Sequence, residues 1–117
     1  MSNSFYSIGI SHWNCPLNIR EQFSIDKQQS INFISDLKAT GGSAFTVSTC
    51  NRTQVFANNT NIHQLKKKFI EYTGNQENNF KKYGFILKGD EAIQNLFELS
   101  TGIDSQILGD LQIFSQV

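Results

Sequence analysis

Two hydrophobic periods alternate along this chain, and their order limits the fold more than any single residue does. Residues 5–12, FYSIGISH, place Tyr6, Ile8 and Ile10 on one face and Ser7, Gly9 and Ser11 on the other, which predicts a strand with one buried face. Pro16 breaks the chain, and LNIREQFSI predicts a short helical turn. From Asp26, a suitable N-cap, DKQQSINFISDLKAT sets Ile31, Ile34 and Leu37 on one helical face with Phe33 beside it, and Gly41-Gly42 stops the helix. Residues 43–49 and 53–58 predict two strands with Phe45, Val47, Val55 and Phe56 as apolar members. So few residues join them that an antiparallel hairpin follows. Thr60 or Asn61 caps a second long helix whose inward stripe is Ile62, Leu65, Phe69 and Tyr72. GNQENN reads as a polar loop and KKYGFIL as a fourth strand. DEAIQNLFELST reads as a helix with Ile93, Leu96 and Phe97 inward and Gly102 as its stop. Ile103, Ile107, Leu111 and Phe114 then recur at helical spacing to the end.

The order β-α-β-β-α-β followed by helices predicts the α+β class. More narrowly, it predicts a ferredoxin-like split βαβ sandwich, an antiparallel sheet with helices packed on it plus additional C-terminal helices. A chain of 117 residues suits one domain with one core. The last helical stripe is cut mid-pattern at Gln116-Val117, which leads us to expect a domain of a longer protein. Ten Lys and Arg balance ten Asp and Glu, so no global field drives the chain onto nucleic acid or membrane. The N-terminus has neither the cationic start nor the apolar run of a signal peptide, and no stretch reaches membrane-spanning length. Two cysteines, Cys15 and Cys50, are too few for a disulfide framework; a cytoplasmic protein with free thiols is expected.

Residues 46–56, TVSTCNRTQVF, bring a thiol beside a fixed cation at the join of the two middle strands. Cys50 has two readings: a small buried residue at a strand end, or a thiol whose pKa is lowered by Arg52 and by free backbone N–H groups at a turn. A thiolate is suited to attack on an activated ester, and Thr49 and Thr53 add hydroxyls that could orient an acyl group. Cys15 reads as packing or as simply exposed. His12, at the end of the first strand, is a candidate base or a structural histidine, and His63 falls on a solvated helix face. These cysteines and histidines lack zinc spacing. Lys66-Lys67-Lys68 reads as a solvated helix face and Lys81-Lys82 as a strand start; phosphate contact is the other reading of both. No glycine fingerprint for a dinucleotide or a P-loop is present. In TGIDSQILGDLQIFSQV, Ser105 and Gln112 lie off the apolar stripe and are free to meet a ligand.

Together these segments resemble the N-terminal catalytic domain of glutamyl-tRNA reductase. STCNRTQVFA is similar to that family's STCNRTE-type segment. GIDSQILGDLQIFSQV is similar to its GLDS-x-x-LGE-x-QI-x-x-QV segment, and GISHWNCPLNIRE to its GxNHKTAPxxxRE opening. The resemblance runs in order over essentially the whole chain, making residues 1–117 the catalytic, glutamyl-tRNA-binding domain. It implies that Cys50 attacks the ester of glutamyl-tRNA to give a thioester, which NADPH reduces to glutamate-1-semialdehyde for tetrapyrrole synthesis. It implies further that Thr49 and Arg52 hold the glutamyl group, Arg52 pairing with its carboxylate, and that Ser105, Asp110 and Gln112 lie on the substrate side. NADPH-binding and dimerisation domains, the latter forming a homodimer, are expected outside this chain. Glutamate-1-semialdehyde aminotransferase is the implied protein partner. Three positions depart from the family pattern: Asn95 stands where the family has histidine, Asp110 where it usually has Glu, and Gln54 where Glu is frequent. Asparagine can hold a hydrogen bond but cannot shuttle a proton, which leaves His12, water or the tRNA hydroxyl for acid–base work. The alternatives are a ferredoxin-like RNA-binding or interaction module, which would need exposed aromatics on the sheet face, a family member without full reductase activity, and a redox-sensing thiol.

Overall fold

The seven-residue alternating run at the start of the chain becomes β1 (Phe5–Ser11), and the sheet is built around it. The computed structural model describes residues 5–11, 15–48, 52–74, 76–100 and 113–115. The other strands are β2 (Ser43–Ser48), β3 (Arg52–Asn58), β4 (Gly84–Lys88) and β5 (Ile113–Ser115), in the spatial order β4-β1-β3-β2-β5 with every pairing antiparallel. The helices are α1 (Leu17–Gln22), α2 (Lys27–Ala39), α3 (Ile62–Tyr72), α4 (Glu77–Tyr83) and α5 (Asp90–Ser100). The first four strands with α2 and α3 form the expected split βαβ sandwich, and α5 supplies a further helix after it.

Local chemistry sets the helix ends. Asp26 closes a capping box: its carboxylate accepts from the Gln29 N–H at 2.8 Å, while the Gln29 side chain accepts from the Asp26 N–H at 2.8 Å. Gly41, at φ 94°, turns the chain out of α2, and the Gly42 N–H reaches back to the Leu37 carbonyl at 2.9 Å. Asn61, of the two expected caps, accepts from the N–H groups of His63 and Gln64 at the start of α3.

Cross-strand register shows which residues share a face. Ile8 stands opposite Val55 and Ile86, so Ile8, Ile10, Val55 and Ala57 line one side. Against that side pack Phe33, Ile34 and Leu37 of α2 and Leu65 and Phe69 of α3, all fully or nearly fully buried. Phe69 lies between two further rings, stacked with Phe23 at 6.4 Å and tilted to Phe80 at 5.7 Å.

The opposite side is covered too. Leu96 and Leu99 of α5 pack with Phe5, Phe45, Val47 and Phe56, the last ring stacked on Phe45 at 4.9 Å. The alternation in β1 predicts one buried face, yet Ser7, on the polar side, is fully buried. Among the described residues no open sheet face remains for stacking bases, the feature an RNA-binding sandwich of this type would need.

Several boundaries differ from the sequence reading. Part of GNQENN and all of KKY belong to α4, so Lys81 and Lys82 lie in the last turn of a helix and do not start a strand. Glu77 in the first turn and the two lysines in the last suit the helix dipole, and buried Phe80 anchors the short helix. The inward stripe of α5 is Ala92, Leu96 and Leu99, with Asn95 among them. Phe97 is 62% exposed because the aromatic cluster it would join lies on the other side of the helix. Phe114 does not continue a helix: Ile113–Ser115 pairs with β2 as an edge strand. Residues 103–112 and Gly102 lie outside the described residues. No described helix is long and apolar enough to cross a membrane.

Tyr72 is a meeting point of α2 and α3, its ring packed on Phe33 at 5.2 Å. The Tyr72 hydroxyl donates to the Asp36 carboxylate at 2.5 Å, with Lys68 Nζ 3.7 Å from the same oxygen. That hydrogen bond, with burial and the charges of Asp36 and Glu71 adding to it, pushes the Tyr72 pKa up to about 12. The raised value means the folded state holds this proton more tightly. Its stabilising contribution is complete below the ordinary value of 10 and is lost as pH climbs from 10 to 12. Tyr72→Phe should cost about 1 kcal/mol at neutral pH and flatten this part of the alkaline fall, read by urea denaturation across that range.

Candidate active site

The alternation of β3 sends Arg52, Gln54 and Phe56 toward α5, and Thr53, Val55 and Ala57 into the α2–α3 core. Arg52, the first residue of β3, is 4% exposed, and its Nη1 donates to Gln54 Oε1 at 3.0 Å. Gln54 is fully buried. Its Nε2 donates to Ser7 Oγ at 2.6 Å and to Asn95 Oδ1. The guanidinium can only donate, so the Gln54 oxygen must face it, its nitrogen must face the other way, and Asn95 must present its own oxygen. Four side chains from three elements therefore form one polar line beneath α5, in a setting where an unmatched donor or acceptor is costly.

Gly9 makes room for this line. It stands opposite Gln54 in the register. A Cβ there would lie 2.5 Å from the Thr53 carbonyl oxygen and 2.9 Å from Gln54 Cα. Both are backbone atoms, so no side-chain rotation relieves the clash.

Of the residues expected to carry chemistry, the structure brings Arg52 and Asn95 together through Gln54. Thr49, Cys50, His12, Ser105, Asp110 and Gln112 lie outside the described residues. The strands flanking the thiol do pair as expected, with Ser48 opposite Thr53 at the end of β2. Cys15 packs in the core at 5% exposure. Burial pushes its thiol pKa up and nearby Arg20 offsets part of this, while Arg20 Nη1 donates to the Cys15 carbonyl at 3.0 Å. A buried thiol with a raised pKa is a poor nucleophile at neutral pH.

The basic run of α3 separates by side chain. Lys68 pairs with Asp36 as described, and Lys66 Nζ sits 5.9 Å from the centre of the Phe80 ring. Exposed His63 with Lys66 and Lys67 lines a cleft of about 380 Å³. Glu71 and Glu77 line the same cleft, so its charge is mixed and phosphate capture is not favoured. Among the described residues no cluster of His, Cys, Asp and Glu could hold a metal ion.

Sequence reasoning did not name Ser7 or Gly9 as site residues and treated Gln54 only as a departure. The available signal was parity: Gln54 is two residues from Arg52 on a strand, hence on the same face. Asn95 carried a similar signal, lying three residues after Ala92 and four before Leu99 on one helical face.

Three comparisons bear on this geometry. Residues 8–117 match the family described as "Glutamyl-tRNAGlu reductase, N-terminal domain". The glutamyl-tRNA reductase of Flavobacterium psychrophilum is 40% identical over 116 residues, covering 98% of this chain and 28% of that protein. Glutamyl-tRNA reductase 2 of Flavobacterium johnsoniae is 36% identical over 117 residues, covering 99% of this chain and 27% of its own length. The chain thus spans less than a third of these relatives. Among solved structures, glutamyl-tRNA reductase from Methanopyrus kandleri superposes with a TM-score of 0.63 at 16% identity, over 87% of this chain and 23% of that one. At that identity the likeness is one of fold.

Gly9→Ala should destabilise the protein by about 1–3 kcal/mol, the usual cost of overpacking against a fixed backbone. A lowered urea midpoint with an unchanged slope is the expected result, and a midpoint equal to wild type would contradict the close approach of β1 and β3.

Proposed function

Given that the chain belongs to the glutamyl-tRNA reductase family through its N-terminal domain, we propose that it binds glutamyl-tRNA and forms the enzyme thioester on Cys50. The thiolate attacks the ester carbonyl, a carbon–sulfur bond forms and the ester carbon–oxygen bond breaks. The tRNA ribose oxygen leaves and takes a proton from His12 or water. The observation that carries this reading is Arg52: a buried guanidinium oriented by Gln54, two residues after Cys50 in the sequence. A planar fork of five N–H donors suits the substrate's carboxylate through two parallel hydrogen bonds. A cation near a thiol also favours the thiolate. Thr49, Ser105, Asp110 and Gln112 are assigned to the substrate side by their match to the family segments.

Asn95 is given no proton to move. Its oxygen accepts from Gln54, and an amide has no proton to release near neutral pH.

The reading assigns reduction of the thioester to NADPH held outside this chain, in a protein that dimerises and hands its aldehyde to an aminotransferase. The described residues do not fit a dinucleotide. The glycine turn from β4 into α5, with Gly89 at φ 58°, leads into Asp90 and Glu91 in the first helical turn, where two carboxylates repel a pyrophosphate. No hydride step is therefore assigned to residues of this chain.

The test is mass spectrometry of the full-length protein mixed with glutamyl-tRNA. A glutamyl adduct on Cys50, absent in Cys50→Ser, is expected together with release of free tRNA. Deacylation by Cys50→Ala at the wild-type rate would remove the nucleophile assignment. Arg52→Lys should raise KM for glutamyl-tRNA about tenfold or more, through loss of the paired hydrogen bonds. Tight tRNA binding indifferent to Arg52→Ala and to the attached amino acid would favour an RNA-binding module instead.

A further inference from the structure

The line Arg52–Gln54–Asn95, buried at Arg52 and Gln54 and half-buried at Asn95, is built so that one charged group is aimed by two neutral ones. We infer that Gln54 and Asn95 are positioning residues for substrate recognition: their amide pair fixes the Arg52 guanidinium in one orientation and so lets the site distinguish a side-chain carboxylate from its amide. This rests on the proposed role of Arg52.

Three observations carry it. First, Gln54 touches the guanidinium directly, with Nη1 to Oε1 at 3.0 Å, and is fully buried, so water cannot replace it. Second, the Gln54 amide cannot rotate by half a turn. Its nitrogen is engaged by Ser7 Oγ at 2.6 Å and by Asn95 Oδ1, and a flip would set donor against donor at Arg52. Third, Asn95 comes from α5, 41 residues away in the sequence, and lies among the inward residues of that helix where an apolar side chain would pack more cheaply. A polar group there answers a need created by Gln54.

The chemistry of the tether matters as much as its position. A free arginine samples many rotamers, and each must be given up when it binds a carboxylate. Holding one orientation beforehand removes that cost from binding. An amide does so as a neutral acceptor, adding no negative charge beside the guanidinium. A well-aimed fork matched to two acceptor oxygens rejects an amide, because the amide presents one acceptor and one donor there.

The experiment compares the full-length protein acting on the same tRNA charged with glutamate or with glutamine, reading thiol-dependent tRNA release. Gln54→Met keeps the volume and removes the acceptor. It is expected to lower the preference for the glutamyl substrate about tenfold or more, mainly through KM. Asn95→Leu is expected to act in the same direction by a smaller factor, and Asn95→Asp, which keeps an acceptor for Gln54, to restore most of the preference. In an Arg52→Ala background neither Gln54→Met nor Asn95→Leu should change the preference further. A purely structural role would lower turnover of both substrates equally and would persist in that background; either result overturns the inference. An independent reading comes from the nitrogen-15 spectrum of the Arg52 guanidinium. Its side-chain protons should be resolved and slow to exchange in wild type, and averaged with solvent in Gln54→Met. If the wild-type protein releases no tRNA, the proposed function fails, and this spectrum alone decides the network: unchanged protection in Gln54→Met refutes it.

Discussion

Strand β3 is covered on both sides from Arg52 to Ala57, and this forces the polar side chains of that stretch to find partners inside the protein. On the α2–α3 side Val55 and Ala57 are apolar and Thr53 brings a single hydroxyl. On the α5 side the strand presents a guanidinium and an amide, and leaving either unmatched in the interior would cost on the order of 1–3 kcal/mol or more. The solution is collective. Gln54 accepts from Arg52 Nη1, Ser7 and Asn95 accept from Gln54, and Gly9 leaves the space in which the strands can approach. Seating α5 and orienting Arg52 are therefore parts of one packing problem.

The two layers divide the work accordingly. The α2–α3 layer is a mainly apolar core in which phenylalanine rings and branched aliphatics fill space around β1 and β3. It gives the sheet a rigid back. The α5 layer mixes Phe56, Phe45, Leu96 and Leu99 with the polar line, so its packing carries hydrogen-bond specificity as well as apolar area. A site set where a rigid sheet meets its connecting segments can vary its chemistry while the scaffold stays the same. The fold likeness to the Methanopyrus kandleri enzyme at 16% identity is in keeping with that division.

The departures from the family pattern take on a physical sense in this setting. Gln54 and Asn95 look unrelated in the sequence, and each alone suggests lost acid–base capacity. In the folded chain they are hydrogen-bonded to each other. A change at one position alters what the other must donate or accept, so the pair is better understood as a single neutral unit than as two separate losses.

Much was legible before the fold. The alternation in FYSIGIS, the capping box begun by Asp26 and the stripe Leu65–Phe69–Tyr72 are local patterns, and local patterns follow from backbone geometry and side-chain spacing alone. The order of elements then left few topologies, and the sandwich is among the simplest of them. The resemblance of STCNRTQVFA likewise needed only the chain. What the sequence could not supply was which layer would cover the polar side of β1 and β3. A helix turns its apolar residues toward whatever surface is offered, so choosing Leu99 over Phe97 as an inward residue of α5 depended on where Phe45 and Phe56 had already gathered. The same placement turned Ser7 from a surface residue into a buried acceptor and set Asn95 against Gln54. The elements were decided by interactions within a few residues of each other; the partners of Gln54, which in turn meets Arg52, were decided by contacts between segments more than forty residues apart, which only the packed structure brings within hydrogen-bonding distance.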